Sequence, residues 1–195
     1  MTDHSMELRR QIVHLLYGPI LVLLYHFGFL NTHILLGMII GGAMASFLIK
    51  REKLGFLKRI LGFFEREHHM QKFPARGILF FTIGAYLCLV LFSAPIAYAG
   101  ILILSVGDAF TNLVGRHLGR IKTRINPEKY IEGTLVGIIL SIPIAYYFRP
   151  NLFAAISASC VAMFLELPQI KIFGFEVDDN LIIPLAASFT LWLFT

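Results

Sequence analysis

Most of the chain consists of apolar runs that are each about as long as a bilayer is thick. Seven runs are present, at residues 12–30, 32–49, 77–93, 95–114, 132–148, 151–168 and 180–195. Because a transmembrane α-helix needs about 20 predominantly apolar residues, the runs predict an all-α, polytopic integral membrane protein with about seven transmembrane helices. Several runs are near the lower length limit, so six or eight spans also fit. The pattern predicts a single membrane-embedded domain over residues 1–195.

The segment between the second and third runs, residues 50–73, has a different pattern. Its apolar residues repeat at helical spacing and its basic residues occupy other faces: Leu54, Leu57, Leu61 and Phe64 against Lys53, Lys58, Arg59 and Arg66. This predicts an amphipathic helix lying in the membrane interface. The neighbouring His68 and His69 are only a weak indication of a metal site, because no further ligand pattern accompanies them.

The second run carries a stripe of small residues, Gly37, Gly41 and Ala45. Small residues at four-residue spacing let helices approach closely. The stripe predicts a helix–helix contact, either within the chain or in a homodimer.

Charge is distributed on one side of the predicted membrane. The net charge of +5 would fit a nucleic-acid partner, but its placement favours membrane topology instead. With a cytoplasmic N-terminus and alternating spans, every Lys and Arg except Arg149 falls in a cytoplasmic segment, as the positive-inside rule requires. We therefore expect no nucleic acid, and an integral protein of a cell membrane or endoplasmic-reticulum-type membrane.

The twelve acidic residues lie on the same side, although the positive-inside rule makes no demand on them. The predicted outer connections, around Asn31, Pro95 and Pro150, carry almost no charge. A transporter usually needs polar groups near the midplane and access from both sides. The polar cytoplasmic face therefore argues against a small transporter, and a non-enzymatic assembly subunit would not need acids at this boundary.

Two polar groups interrupt the apolar sequence. Glu7, Arg10 and His14 share one face of the first helix, with His14 inside the apolar run. On charge alone, these residues could equally be membrane anchors. Asp108 lies inside the fourth run, where a carboxylate is costly and is a functional hypothesis by default.

The residues after Asp108 suit a phosphate ligand. Asn112 and Gly115 follow on its helix face, and the pairs Gly115-Arg116 and Gly119-Arg120 come four residues apart. Glycine lets a ligand approach the backbone, and guanidinium groups offer paired donors to phosphate oxygens. Lys122 and Lys129 add charge nearby. A carboxylate beside such cations predicts Mg²⁺ bridging protein and nucleotide.

Further acids stand where later spans meet the cytoplasm. Glu132 opens the fifth span, where it could be only a capping charge, whereas Glu166 stands at the C-terminal end of the sixth, the unfavourable end for an acid. Asp178, Asp179 and Asn180 enter the seventh span together, as a helix cap or as two repelling carboxylates that a cation would relieve. Shared sidedness predicts that these acids and Asp108 surround one cytoplasmic pocket.

Four blocks, in order, resemble the CTP-dependent lipid kinases: dolichol, phytol and farnesol kinases and the CTP-using diacylglycerol kinase, which are related to the CDP-diacylglycerol synthases. The blocks are Glu7-x-x-Arg10-x-x-x-His14; Gly107-Asp108-Ala109 continuing to Gly115-Arg116 and Gly119; Lys129-Tyr130-Ile131-Glu132-Gly133-Thr134; and Glu166 followed by Asp178-Asp179-Asn180-Leu181 and Pro184. The resemblance covers roughly residues 7–184. Gln11 and Tyr130 depart from it, standing where the family usually has Lys and Ser.

The resemblance implies transfer of the γ-phosphoryl group of CTP, with Mg²⁺ as cofactor, to a membrane lipid alcohol: a polyprenol or dolichol first, and a diacylglycerol-type lipid or phytol as alternatives. The implied catalytic residues are Asp108, His14, Glu132 and Asp179, and the implied metal ligands are Asp108, Asp178 and Asp179. The implied nucleotide-binding residues are Asn112, Gly115, Arg116, Gly119, Arg120, Lys122, Lys129, Gly133 and Thr134, with Glu7, Arg10, Glu166 and Asn180 as further polar residues of the site.

The same groups could serve a cytidylyltransferase that makes a CDP-lipid. Against this alternative, the CDP-diacylglycerol synthases carry a long C-terminal signature, and the corresponding region here is only FEVDDNLIIPLAA.

Overall fold

The computed structural model describes residues 3–64, 70, 73–168, 170–172 and 175–195. Its helices are α1 (Asp3–His26), α2 (Thr32–Lys50), α3 (Gly55–Leu61), α4 (Arg76–Leu91), α5 (Ala94–Ile103), α6 (Ala109–Leu118), α7 (Ile131–Phe148), α8 (Leu152–Leu165) and α9 (Asp179–Leu193), and a π-helical segment, Leu104–Asp108, joins α5 to α6. Two short strands of two residues each precede α9, with β1 (Lys171–Ile172) paired antiparallel to β2 (Phe175–Glu176). Arg66, His68 and His69 lie outside the described residues.

Each apolar run that predicted a span is helical, so the prediction of a helical membrane protein is confirmed. Within the described residues, three continuous helical stretches are long and apolar enough to cross a membrane: Thr32–Lys50, Ala94–Leu118 and Ile131–Phe148. Helices α4, α8 and α9 are apolar but shorter. The number of spans, the cytoplasmic N-terminus and the interfacial position of α3 stay predictions.

The core of the protein is built around α5. Its residues from Ile96 to Ile101 are buried, and it packs against α4, α7 and α9. Helix α8 presents Ala154, Ala155, Ala158 and Ala162 to its neighbours α7 and α9, and all four alanines are fully buried. Many large apolar side chains remain exposed on the outer faces of the bundle, as a lipid environment allows.

The glycine stripe of α2 is not buried within the chain. A Cβ added at Gly37 or at Gly41 would meet no atom within 4 Å. The predicted contact of this stripe is therefore absent from the described part of the chain, and a homodimer contact stays a prediction.

The π-helical segment fixes α1 against the bundle. The hydroxyl of Ser105 donates to the carbonyl oxygens of His14, at 2.7 Å, and Leu15, at 3.1 Å. A Cβ on Gly18 would lie only 2.6 Å from Cβ of Ser105, so glycine is required at this crossing. Because π-helical turns often occur at functional sites, it is notable that this one ends at Asp108 and lies beside His14.

Candidate active site

A cavity of about 380 Å³ opens at one end of the helix bundle. Its polar lining residues come from the whole length of the chain: Glu7, Arg10, Gln11, His14, Arg76, Asp108, Asn112, Arg116, Asn126, Glu128, Lys129, Glu166, Asp178, Asp179 and Asn180. Helix α1, the π segment with α6, the end of α8 and the start of α9 each contribute at least one acid. The predicted convergence of acids is therefore observed for Asp108, Glu166, Asp178 and Asp179.

Asp108 is one of three buried acids that the described residues place in this cavity, with 8% of the residue exposed. Its Oδ1 accepts a 2.8 Å hydrogen bond from Nδ2 of Asn112, which also donates to the Asp108 carbonyl oxygen at 2.9 Å. Its Oδ2 lies 3.4 Å from Nε2 of His14. Asp108 and His14, which the resemblance implied to be catalytic, therefore lie side by side.

Lys129 and Glu166 form a buried ion pair behind Asp108. The ammonium of Lys129 donates to Glu166 Oε1 and, at 2.9 Å, to Oδ1 of Asn112. Burial alone would lower the pKa of Lys129, but the carboxylates of Glu166, Asp108 and Asp179 raise it above its usual value. Lys129 therefore stays charged and fixes the Asn112 amide, whose Nδ2 then points at Asp108.

Glu7 organises the basic side of the cavity. It is 4% exposed, and its Oε2 accepts a 3.0 Å bond from Arg10 and lies 3.6 Å from Nη2 of Arg116. Its Oε1 accepts a 2.9 Å bond from Gln11. The side chains of Arg10 and Arg116 remain about one third exposed, at 37% and 34%. Two guanidinium groups are thus held by one carboxylate at the cavity edge.

Asp178 stands on the opposite side of the cavity. Its Oδ2 accepts a 2.9 Å bond from Arg76 Nε, and its Oδ1 accepts one of 3.2 Å from the Asn180 amide, as a helix cap does. Burial, together with the neighbouring Asp179, raises the pKa of Asp178 to about 7 even though Arg76 lowers it. The capping interpretation and the crowding of two carboxylates therefore both hold.

Other residues predicted for the site do not line the cavity: Gly115, Gly119, Arg120, Lys122, Glu132, Gly133 and Thr134. Glu132, predicted to be catalytic, instead accepts the backbone N–H groups of Arg120, at 3.0 Å, and Ile121. A carboxylate that accepts from two amides holds the loop in place, and the catalytic role of Glu132 stays a prediction. Arg120 and Lys122 are exposed on that loop.

The predicted phosphate-binding glycines serve contact between α6 and α7. A Cβ on Gly133 would clash with the carbonyl oxygen of Thr111, and one on Gly119 would clash with the ring of Tyr130, the residue that caps α7. Thr134 is buried, and its hydroxyl donates to the Tyr130 carbonyl oxygen at 3.2 Å. Sequence spacing alone does not separate close helix contact from ligand approach.

Several lining residues were not predicted from the sequence, notably Gln11, Arg76, Asn126 and Glu128. Arg76 was indistinguishable from the other basic residues at the end of a span. Gln11 carried a signal, because it departs from the family pattern between Arg10 and His14. Asn126 and Glu128 reach the cavity on the loop before α7, where no periodicity applies.

The donor set of the cavity suits a hard cation that arrives with phosphates. Among the described residues, no three His, Cys, Asp or Glu side chains are grouped closely enough to hold an ion by themselves. Mg²⁺ usually takes only one or two carboxylates together with substrate phosphates, and the cavity supplies carboxylates at Asp108, Asp178 and Asp179. Oε2 of the buried Glu166 also lacks a hydrogen-bond partner within the described chain. These residues therefore fit Mg²⁺ bound jointly with a nucleotide.

Three relatives illustrate what this chain is similar to. It is 26% identical over 151 residues to CTP-dependent diacylglycerol kinase 1 of Schizosaccharomyces pombe. The alignment covers 69% of this chain and 66% of that relative. It is 30% identical over 124 residues to probable phytol kinase 3 of Glycine max, and this alignment covers 57% of this chain and 39% of the relative. It is 30% identical over 106 residues to farnesol kinase of Arabidopsis thaliana, and this alignment covers 49% of this chain and 34% of the relative.

The aligned segment thus spans less than two thirds of each of these relatives. No family model matches the chain, and no solved structure matches it. The relatives confirm the resemblance to the CTP-dependent lipid kinases that the four sequence blocks indicated.

Proposed function

We propose that this chain is a CTP-dependent kinase that transfers the γ-phosphoryl group of CTP to the hydroxyl of a membrane lipid alcohol. The observation that carries the proposal is the cavity itself, which joins buried Asp108 and His14 to several cationic side chains at the polar end of apolar helices. Such a site can receive a charged nucleotide from water and an alcohol from the bilayer. Its placement on the cytoplasmic face follows from the predicted topology.

Arg10 and Arg116 are suited to bind the phosphates. Phosphoryl transfer depends mainly on positioning and on neutralising charge over the transferred group. Their guanidinium groups share Glu7, which fixes them without burying them. Lys129 contributes its positive charge from behind Asn112, where Glu166 holds it. Bound with CTP, Mg²⁺ held by Asp108 with Asp178 or Asp179 would add charge neutralisation on the phosphates.

His14 is the group best placed to accept the proton of the alcohol. Its Nε2 is buried and makes no hydrogen bond to the described part of the chain, and Asp108 Oδ2 lies 3.4 Å away. In the transfer step, the alcohol oxygen bonds to the γ-phosphorus, its proton moves to His14, and CDP leaves. Asp108 then stabilises the imidazolium as a neighbouring carboxylate does.

The acceptor is a lipid alcohol, and its finer identity is part of the proposal. The names of the three relatives cover a diacylglycerol and two isoprenoid alcohols, phytol and farnesol. Polyprenol and dolichol extend the isoprenoid group to longer chains and stay a prediction from the resemblance.

The test uses purified protein in lipid vesicles with Mg²⁺, a mixture of candidate alcohols and phosphatidic acid, and CTP labelled at the α or the γ phosphate. We expect γ-label in the lipid fraction and no α-label. Lipid that carries α-label instead would overturn the kinase in favour of a cytidylyltransferase. A non-enzymatic protein would be indicated by two results together. Neither label would enter the lipid fraction, and CTP with Mg²⁺ would not raise the melting temperature of the protein.

A further inference from the structure

The cavity has an apolar side beside its charged groups. It is lined by Val13 and Tyr17 of α1, by Leu61 and Phe64 at the end of α3, and by Phe73, Ile78 and Phe81 at and before the start of α4. We call Tyr17, Leu61, Phe64 and Phe81 the apolar wall. A triphosphate gains nothing from such a surface, whereas a hydrocarbon does.

The apolar wall begins directly at the reacting groups. The ring of His14 packs edge-on against Phe81, with centroids 4.9 Å apart, while its Nε2 faces Asp108. One side chain therefore belongs both to the charged part of the cavity and to its apolar part. A hydroxyl placed at His14 would have its own carbon chain directed toward the apolar wall.

The deep end of the apolar wall is closed. The Tyr17 hydroxyl and Thr82 Oγ1 form a 2.7 Å hydrogen bond between α1 and α4, and the Tyr17 ring packs edge-on against Phe81 at 5.1 Å. Phe81 is only 1% exposed. The wall therefore holds only the part of a lipid nearest its hydroxyl, and the remaining tail stays in the bilayer.

The polarity of the wall bears on which lipid it accepts. Three of its four side chains are hydrocarbon, and the one hydroxyl, on Tyr17, is already bonded to Thr82. An ester group placed against this wall would be desolvated without a hydrogen-bond partner from it, which costs free energy. A primary alcohol on a plain hydrocarbon chain has no such group beside its hydroxyl, whereas a diacylglycerol has two esters.

We propose that the apolar wall binds the carbons adjacent to the acceptor hydroxyl and selects a hydrocarbon alcohol of isoprenoid type over a glycerol ester. The wall does not discriminate between lipid alcohols of different tail length. This inference rests on the proposed function, since it concerns the acceptor of the same reaction. The end of α3 and the turn after it supply the means to test it, because adjacent residues there differ in exposure. Leu61 and Phe64 line the cavity, whereas Ile60 and Phe63 are 42% and 53% exposed.

The first experiment measures γ-label transfer from CTP to farnesol, to a long-chain polyprenol and to dioleoylglycerol, each at the same mole fraction in vesicles. We expect similar kcat/KM for the two isoprenoids and a value roughly tenfold lower for dioleoylglycerol, since a buried polar mismatch discriminates by at least that much. A preference for dioleoylglycerol, or a strong dependence on isoprenoid length, would overturn the inference. Phosphorylation of none of the three would overturn the proposed function instead.

The second experiment compares Leu61→Gln with its neighbour Ile60→Gln, and Phe64→Ser with Phe63→Ser. For Leu61→Gln and Phe64→Ser we expect the KM for farnesol to rise roughly tenfold while the KM for CTP stays unchanged. The two exposed controls should match the wild type in both constants, and equal melting temperatures within each pair check folding. Equal farnesol KM values within both pairs would contradict the role of the apolar wall.

Discussion

The two ends of the helix bundle are built from the same helices but hold them together in different ways. At the cavity end, Glu7, Asp108 and Glu166 are acids of which no more than 8% is exposed. At the opposite end, the Tyr98 ring packs edge-on against Tyr25, at 6.2 Å, and Phe148, at 6.0 Å. One end is a network of charges and the other is a cluster of aromatic rings.

The difference shows where the chain accepts a cost in stability. Aromatic contacts stabilise through buried area and need few partners. Buried carboxylates destabilise unless they are paired, and yet Glu166 Oε2 and His14 Nε2 lack hydrogen-bond partners within the described chain. These two atoms lie among the acids and cations of the cavity, so we place the chemistry at the charged end and assign a structural role to the aromatic end.

The largest effect on stability is expected from breaking the buried ion pair at the charged end. Lys129→Met leaves Glu166 buried without its cation, and Glu166→Leu leaves Lys129 without its main carboxylate. Each single change should lower the free energy of unfolding by about 3 kcal/mol, because an uncompensated buried charge remains. Denaturant unfolding in detergent micelles measures it.

The double variant, Lys129→Met with Glu166→Leu, is the control for this pair. It removes both charges and should recover a large part of the lost stability, although not the activity. If the double variant loses as much free energy of unfolding as the two single variants together, the two side chains do not interact.

A smaller effect is expected from the glycines between α6 and α7, and it separates helix contact from ligand binding. Gly133→Ala places a methyl group against the Thr111 carbonyl oxygen, whereas Gly115→Ala meets nothing closer than Tyr130 Cβ at 3.5 Å. The first change should lower the free energy of unfolding by about 2 kcal/mol, and the second should be tolerated. Thermal unfolding of the two variants gives the comparison, and equal stabilities would refute the assigned helix contact.

The smallest effect is expected at the aromatic end. Arg149 donates a 2.7 Å hydrogen bond to the Phe194 carbonyl oxygen and so ties α7 to the end of α9. Arg149→Met should lower the free energy of unfolding by about 1 kcal/mol and leave the KM and kcat for CTP and alcohol unchanged. Steady-state kinetics would contradict the division between the two ends if this variant lost most of its turnover.

The fold was largely predictable from the apolar pattern, because an apolar run of this length in a bilayer has to satisfy its backbone internally as a helix. The π-helical segment before Asp108 was not predictable, because no residue type specifies that geometry. Ser105 in this segment contacts Gly18 of α1, and nothing local in the sequence indicates that crossing either.

The candidate site was predictable where residues share one helix face or one membrane side. His14 and Asp108 were identified in this way, and they lie together. Glu132 is different, because its carboxylate accepts hydrogen bonds from the backbone amides of Arg120 and Ile121, a contact that membrane sidedness does not indicate. The pairing of Arg76 with Asp178 joins residues 102 positions apart, and nothing local in the sequence indicates such a contact.

The most direct test of this account is to compare Asp108→Asn with Arg149→Met for γ-phosphoryl transfer from CTP in the same vesicle preparation. Asn at position 108 keeps an oxygen for the Asn112 amide, so both proteins should fold, as their melting temperatures will show. We predict a loss on the order of a thousandfold for Asp108→Asn, since the carboxylate that would hold Mg²⁺ and stabilise the protonated His14 is removed, and wild-type rates for Arg149→Met. Wild-type transfer by a folded Asp108→Asn protein would contradict the placement of the chemistry at the charged end.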